Sequence, residues 1–342
     1  MKKDRFPGRR PLSRRRFLKT CSIAAASMVI LESCGQVPDK SPENPPPPAR
    51  NPRTRIANPF MDGSGRPLLV CVSGTDFKSM LHAGLSALGG LNPLIAPGAN
   101  VLVKPNCNAA EPYPAVSSAA SVVSIIDEVK KVTGGTIQVG DQGYESSGRV
   151  YGFMGLDAAV SGAGGTLLNL GTTCRVRRSE WPESKPDFHV YDVVYDAPVI
   201  INLCQLKRHS WAAYSCAIKN MVGAVAGANA VSTRAYLHYE SPNLHAEVAE
   251  IAGLLNPELT IVDARSILTQ GGPFYRDGVV VEAGKLILCG DIVATDAYCI
   301  RILQDHDPGF RIEEADATLS RAESLGLGTA DLNRVQIIEI SL

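Results

Sequence analysis

The fold is decided by Val101-Leu102-Val103-Lys104-Pro105-Asn106, where an apolar, β-rich run ends at a lysine and an asparagine. Residues 118–132 follow with apolar side chains on one helical face and charged ones largely on the other, and Gly134-Gly135 ends this helix. Residues 136–139 form a second strand, which ends at Gly140-Asp141. Strands separated by helices predict a parallel or mixed sheet with helices on its faces.

The same alternation continues along the rest of the chain. Helical spacing recurs at residues 77–88 and 292–303. Further strands are predicted at residues 67–72, 198–203, 259–262 and 286–289. We therefore expect an α/β fold, a mixed or parallel sheet with helices on both faces, in a single domain over residues 61–342.

The first 34 residues are predicted to be a twin-arginine signal peptide. Ser13-Arg14-Arg15-Arg16-Phe17-Leu18-Lys19 matches the motif S-R-R-x-F-L-K at every fixed position. The apolar run at residues 21–31 is shorter than the roughly 20 residues of a spanning helix, as is typical of an export signal. We expect the twin-arginine translocase to bind this segment and to export the protein.

The end of the signal resembles a lipidation site. In Leu31-Glu32-Ser33-Cys34-Gly35, a leucine stands three residues before the cysteine, although Glu32 is unusual in its position. Either Cys34 becomes a lipidated N-terminus or it is an ordinary cysteine beside a cleavage site. Residues 35–60 are rich in proline and polar residues and are predicted to be an extended linker. We expect a periplasmic lipoprotein tethered to the membrane.

Composition excludes several classes of protein. Net charge is zero, and no basic stripe with interleaved aromatic residues is present, so no nucleic-acid partner is expected. The nine cysteines contain no C-x-x-C pair, so no iron–sulfur cluster is expected. The chain also lacks a G-x-S-x-G elbow and a P-loop, which argues against a hydrolase of that type and an NTPase.

Polar residues follow most of the predicted strands. These are Lys104, Asn106, Asp141, Lys207, His209, Asp263 and Asp291. Ligands of open α/β sheets bind beyond the carboxyl ends of the strands, so the set predicts a ligand site. The alternative for the aspartates is that they cap the helices that follow.

The densest candidate stretch lies between residues 200 and 245. Lys219 stands in an otherwise apolar run, where a lysine either extends to solvent or sits in a site with a lowered pKa. We predict catalytic roles for Lys207, His209 and Lys219. Asn220 and Arg234 would help to bind an anionic ligand.

These residues also carry a family resemblance, to the domain of unknown function 362 family (DUF362), from about residue 68 to about residue 304. The segments that carry it are Val101–Asn106, Gly140-Asp141, Ile200-Ile201-Asn202 with Leu206-Lys207-Arg208-His209, Ile218-Lys219-Asn220-Met221-Val222-Gly223, Val262-Asp263-Ala264 with Gly271-Gly272-Pro273, and Asp291-Ile292-Val293-Ala294-Thr295-Asp296-Ala297. Some members of that family carry a ferredoxin-like domain, but this chain lacks its cysteine spacing.

A second resemblance, to the lactate racemase family with its nickel-pincer cofactor, is more distant. His209 and Lys219 are similar to that family in order and spacing, and His238 lies further on. The resemblance implies that Lys219 carries the cofactor, that His209 moves protons and that His238 binds the metal. Two hypotheses therefore stand: an exported enzyme that acts on a small anionic substrate, or a non-catalytic binding lipoprotein for an anion or a metal.

Overall fold

The computed structural model describes residues 47–168, 170–228 and 231–342. The predicted signal peptide, Cys34 and the first part of the linker lie outside the described residues. Export and lipidation therefore stay predictions.

The described chain is built around a nine-stranded sheet. The strands in chain order are β1 (Leu68–Ser73), β2 (Val101–Lys104), β3 (Ile137–Val139), β4 (Thr166–Leu167), β5 (Thr173–Val176), β6 (Phe188–Tyr191), β7 (Val199–His209), β8 (Ala213–Ser215), β9 (Val225–Ala228), β10 (Val231–Ser232), β11 (Leu259–Thr269), β12 (Val279–Cys289) and β13 (Gln336–Ser341). The main sheet has the order β13-β1-β12-β11-β7-β2-β3-β4, with β8 beside β7, and the order β10-β9-β6-β5 forms a smaller antiparallel sheet.

Strand direction makes the main sheet mixed. Along its path every neighbouring pair is parallel except those of β12, which is antiparallel to both β1 and β11. Strand β8 also pairs antiparallel, as a short flap on β7. The C-terminal ends of β2, β3, β7 and β11 consequently share one edge of the sheet, whereas β12 ends at the opposite edge.

Helices cover both faces of the main sheet. They are α1 (Phe77–Ala87), α2 (Ala119–Lys130), α3 (Ser147–Met154), α4 (Leu156–Gly162), α5 (Asp192–Tyr195), α6 (Ala217–Asn220), α7 (Thr233–Ala235), α8 (Leu244–Leu255), α9 (Ile292–His306) and α10 (Asp316–Ser324). Val101 and Val103 pack with the apolar faces of α1 and α2, and Leu102 belongs to the core that includes α8 and α9. The predicted α/β class, with a mixed sheet and helices on both faces, is confirmed. No helix in the described part of the chain is long and apolar enough to cross a bilayer.

Three strands are longer than their apolar runs predict. β7 continues to His209, β11 to Thr269, and β12 begins at Val279. Lys207 pairs with Leu268 of β11 and with Ser215 of β8, so the strand keeps hydrogen-bonding partners on both sides past its apolar part. Backbone pairing, not hydrophobicity, sets where these strands end. Lys207, His209 and Asp263 therefore lie within strands, not after them.

The last part of the predicted linker packs on the domain. Arg53 donates from Nη2 to Glu258 Oε2 at 3.0 Å and from Nε to the Ala197 carbonyl at 3.0 Å. Phe60 is buried in the same core cluster as the apolar residues of α1. The folded unit spans Pro48–Leu342, so it begins before residue 61. A proline-rich segment can pack in this way because the arginine donors satisfy carbonyls that would otherwise lack partners.

We predict that Arg53→Ala lowers the free energy of unfolding by about 3–5 kcal/mol in urea denaturation, because the buried Glu258 would lose its paired charge and keep only the backbone N–H donors of Ile56 and Ile200. The control is Arg50→Ala, whose pair with Asp196 has side chains 47% and 62% exposed and should cost at most about 1 kcal/mol. Equal, small losses in both variants would contradict the packing of this segment.

Candidate functional site

A buried ion pair joins the ends of two strands at the shared edge. Lys104, the last residue of β2, places Nζ 2.5 Å from Asp141 Oδ1, and Asp141 lies two residues after β3. The Cys107 backbone N–H donates to Asp141 Oδ2 at 2.7 Å. A Cβ on Gly223 would lie 1.9 Å from Asp141 Oδ1, so only glycine allows the turn after α6 to approach this carboxylate. The pair thus fixes α6 against the edge of the sheet.

A chain of buried amides connects Lys207 to α6. Lys207 Nζ donates to Asn106 Oδ1 at 3.3 Å, and Asn106 Nδ2 donates to Asn220 Oδ1 at 2.8 Å. Asn220 Nδ2 donates to Asn202 Oδ1 at 2.8 Å, and Asn202 Nδ2 donates to the Ala217 carbonyl at 3.1 Å. Each amide donates in the same direction, which fixes the orientation of all three side chains. Sequence analysis did not select Asn202, although an asparagine inside an apolar strand is itself a signal, since burying an amide requires a partner.

Three cations of the site have no carboxylate partner in the part of the chain that the structure describes. Lys207, Lys219 and Arg234 form no ion pair with any described residue. Lys207 donates to the Ala115 carbonyl, and Arg234 donates to Asn108 Oδ1. Asp141 acts on the pKa of both Lys207 and Arg234, but it is already paired with Lys104. The site therefore carries excess positive charge, which suits an anionic ligand.

Desolvation lowers the pKa of both lysines, although Lys207 is fully buried and Lys219 is half-buried. Desolvation, together with the charges of Arg234 and Lys207, lowers the pKa of Lys219 to about 7. Desolvation lowers the pKa of Lys207 to about 8, against the opposing effect of Asp141. Within the described residues, Lys219 Nζ has no hydrogen-bond acceptor; its side chain lines a small cavity with Tyr214 and His245. Near neutral pH a large fraction of Lys219 is a free amine, able to act as a nucleophile or a base.

Two imidazoles lie close to Lys219, and both favour the neutral form. His209 Nδ1 accepts hydrogen bonds from the backbone N–H groups of Trp211 and Ala212, both at 3.2 Å. Its proton is therefore on Nε2. Burial, followed by the charge of Lys219, holds the pKa of His209 well below its usual range and lowers that of His238 as well. His209 can thus offer an Nε2–H donor to a ligand oxygen.

A metal held by protein side chains alone does not fit this site. His209 and His238 are two imidazoles, but no group of three His, Cys, Asp or Glu ligands occurs in the part of the chain that the structure describes. His238 is instead stacked on Trp211, with ring centroids 4.9 Å apart and planes 11° apart. A metal-bearing group that supplies its own ligands would need only Lys219 and His238.

Asp291 does not join the predicted ligand-binding set. Its Oδ1 accepts from the backbone of Val293 and Ala294 at 2.9 and 2.8 Å, and its Oδ2 accepts from Thr329 at 3.1 Å. It is the N-cap of α9. Because β12 is antiparallel to its neighbours, Asp291 lies at the opposite edge of the sheet.

Asp263 lies at the correct edge but is fully engaged with protein groups. Its carboxylate accepts two hydrogen bonds from Arg265, both at 2.9 Å. Tyr113 and Ser121 donate to it at 3.0 Å each. These bonds leave little capacity to bind a ligand, so Asp263 has a supporting role.

The other predicted site residues lie together at this edge of the sheet. The structure brings together Lys104, Asn106, Asp141, Lys207, His209, Lys219, Asn220, Arg234 and His238.

Comparison with known proteins assigns the family. The model of DUF362, described as "Domain of unknown function", matches residues 101–301, more than half of the chain, and the chain belongs to this family. It is 28% identical over 265 residues to the thylakoid-associated protein sll1697 of Synechocystis sp., covering 72% of this chain and 74% of that protein. The family predicted from the sequence motifs is confirmed.

A solved structure is more distantly similar. The lactate racemase apoprotein of Thermoanaerobacterium thermosaccharolyticum matches with a TM-score of 0.39 and 12% identity. The match covers 67% of this chain, which spans only 56% of that structure.

We predict that Lys104→Met lowers the free energy of unfolding by about 3–5 kcal/mol, because Asp141 would remain buried and unpaired. Adding Asp141→Asn should recover much of that loss, because an amide can still accept from Cys107 and carries no charge. Urea unfolding of both single variants and the double variant measures the coupling. Losses that simply add would show that the two groups do not stabilise each other.

Proposed function

We propose that this protein is an enzyme that binds a small anionic substrate through Lys207 and Arg234 and acts on it through the amine of Lys219. The observation that supports the proposal is the group of three cations, Lys207, Lys219 and Arg234, which have no carboxylate partner among the described residues. One of them, Lys219, also has no hydrogen-bond acceptor among those residues. An anionic ligand would reduce the mutual repulsion of these cations, because it supplies the negative charge that no neighbouring carboxylate provides.

The neighbouring groups give this amine two modes of action. An unprotonated Lys219 can attack a substrate carbonyl carbon to form an imine with loss of water, or it can take a proton from a carbon next to a carboxylate. In either mode the Nε2–H of His209 would donate to the substrate oxygen that gains negative charge. Arg234 would orient the substrate carboxylate.

Binding without catalysis is the alternative, because excess positive charge alone also suits a protein that captures an anion.

In either case we propose export by the twin-arginine translocase and a lipid tether at Cys34, on the strength of the motif at residues 13–19 and the lipobox-like sequence. Both activities would then operate in the periplasm.

A covalent cofactor on Lys219 is a second candidate, favoured by the unpaired amine and by the nearby imidazole of His238. Such a group, when bound, would supply a metal centre beside the substrate. Elemental analysis and intact mass of protein from its native host test this candidate. Added mass at Lys219 with about one nickel per chain supports it, and an unmodified, metal-free chain leaves the free amine as the reacting group.

We expect pyruvate with cyanoborohydride to label Lys219 selectively at pH 7 in protein of unmodified mass. The free amine forms an imine that the reductant converts to a stable secondary amine. Intact mass and peptide mapping measure the adduct. Lys219→Arg should abolish the main adduct, because a guanidinium does not form it. Labelling spread over the exposed lysines Lys78 and Lys131 would contradict a reactive site.

The pKa of Lys219 also predicts how stability depends on pH. Because its pKa is lowered from 10.5 to about 7 on folding, the unfolded chain binds the additional proton between these values, and stability rises with pH across this window. In Lys219→Met the rise of the unfolding free energy from pH 7 to pH 9 should be flatter, with the contribution of Lys207 remaining. Parallel curves for both proteins would show that Lys219 is not perturbed.

A further inference from the structure

A cleft of about 430 Å³ lies beside the cationic site. Its walls include Arg208, His209, Trp211, His245, Gln270 and Glu314. The volume is in the range of roughly 300–1,000 Å³ that is typical of small-molecule sites. A bare anion such as acetate would fill only a small part of it, so the cleft has room for the remainder of a larger ligand.

The cleft lies next to the surroundings of Lys219 through two histidines. His209 contributes to the wall of the cleft, and its pKa responds to the charge of Lys219. His245 lines both the cleft and a gap beside Lys219 that is too narrow for a water molecule. A ligand whose anionic end lies at Lys219 would therefore place its other end in the cleft.

Trp211 gives this cleft a flat aromatic wall. Its backbone N–H donates to His209 Nδ1, which fixes its position relative to the site. Its ring is parallel to that of His238, yet the residue remains 52% exposed. A large indole held in place and still exposed at a binding site is suited to stacking on a planar ring.

We infer that the cleft is a second subsite that takes a planar ring of the substrate, so that the substrate class is a carboxylate attached to an aromatic or heteroaromatic ring. The carboxylate is bound by Lys207 and Arg234 beside Lys219, and the ring stacks on Trp211. Gln270 and the Arg208–Glu314 pair, whose Nη1 and Oε2 atoms are 3.2 Å apart, also line the cleft and can bind polar substituents of that ring. This inference rests on the anion site proposed above.

The fluorescence of Trp211 can report directly on ligand binding in the cleft. The chain has two tryptophans, and Trp181 is buried against Phe188 in the smaller sheet, with ring centroids 5.8 Å apart. In a Trp181→Phe background, Trp211 is the sole indole fluorophore. Benzoate and cyclohexanecarboxylate, which share charge and approximate size but differ in planarity, are titrated by fluorescence and calorimetry. Benzamide provides the ring without the charge.

Benzoate should bind about 3- to 10-fold more tightly than cyclohexanecarboxylate and should change the Trp211 emission, whereas benzamide should bind far more weakly than benzoate. Trp211→Ala should bring the ratio of the two acid affinities to about 1, and Trp211→Phe should preserve it. Lys219→Met should weaken both acids. Equal binding of the two acids, or a preference that survives Trp211→Ala, overturns the ring subsite but not the anion site. Failure of both acids to bind overturns the anion site and the ring subsite together.

Discussion

The buried pair of Lys104 and Asp141 is the interaction on which the rest of the site depends. Burying a carboxylate is costly unless an opposite charge lies beside it, and here Lys104 lies beside Oδ1 while the Cys107 backbone N–H donates to Oδ2. The same carboxylate lies against Gly223, so it joins β2 and β3 to the turn that follows α6. Lys104 already pairs with this carboxylate. Lys207, Lys219 and Arg234 therefore have no carboxylate partner among the described residues.

This arrangement sets local stability against function. Three cations gathered without counter-charges destabilise the folded state, and the protein limits that cost by hydrogen bonds to neutral groups. The Ala115 carbonyl and the amide of Asn106 accept from Lys207, and Asn108 accepts from Arg234. Lys219 has no such bond to any residue that the structure describes, so its amine is available for a ligand.

Sequence analysis predicted the strand–helix–strand unit over residues 101–141 because apolar periodicity is a local property. It could not predict that β7 continues to His209, since that depends on pairing with β8 and β11. The sequence places Asp291 in the site, because the residues of β12 do not reveal that this strand runs antiparallel to its neighbours. Trp211 was missed because its position is defined by contacts with His209 and His238 that only the folded chain shows. Lys219 was found because a lysine in an apolar run is anomalous by itself.

The most direct test of the central claim is an NMR titration of the lysine side chains in ¹³C-labelled protein, with Lys219→Arg used to assign the Lys219 resonance. We predict a titration midpoint near 7 for Lys219, far below its ordinary value of 10.5. Adding saturating benzoate should raise that midpoint, because a neighbouring anion favours the protonated amine. A midpoint near 10.5 that does not respond to benzoate would contradict both the perturbed amine and the anion site built around it.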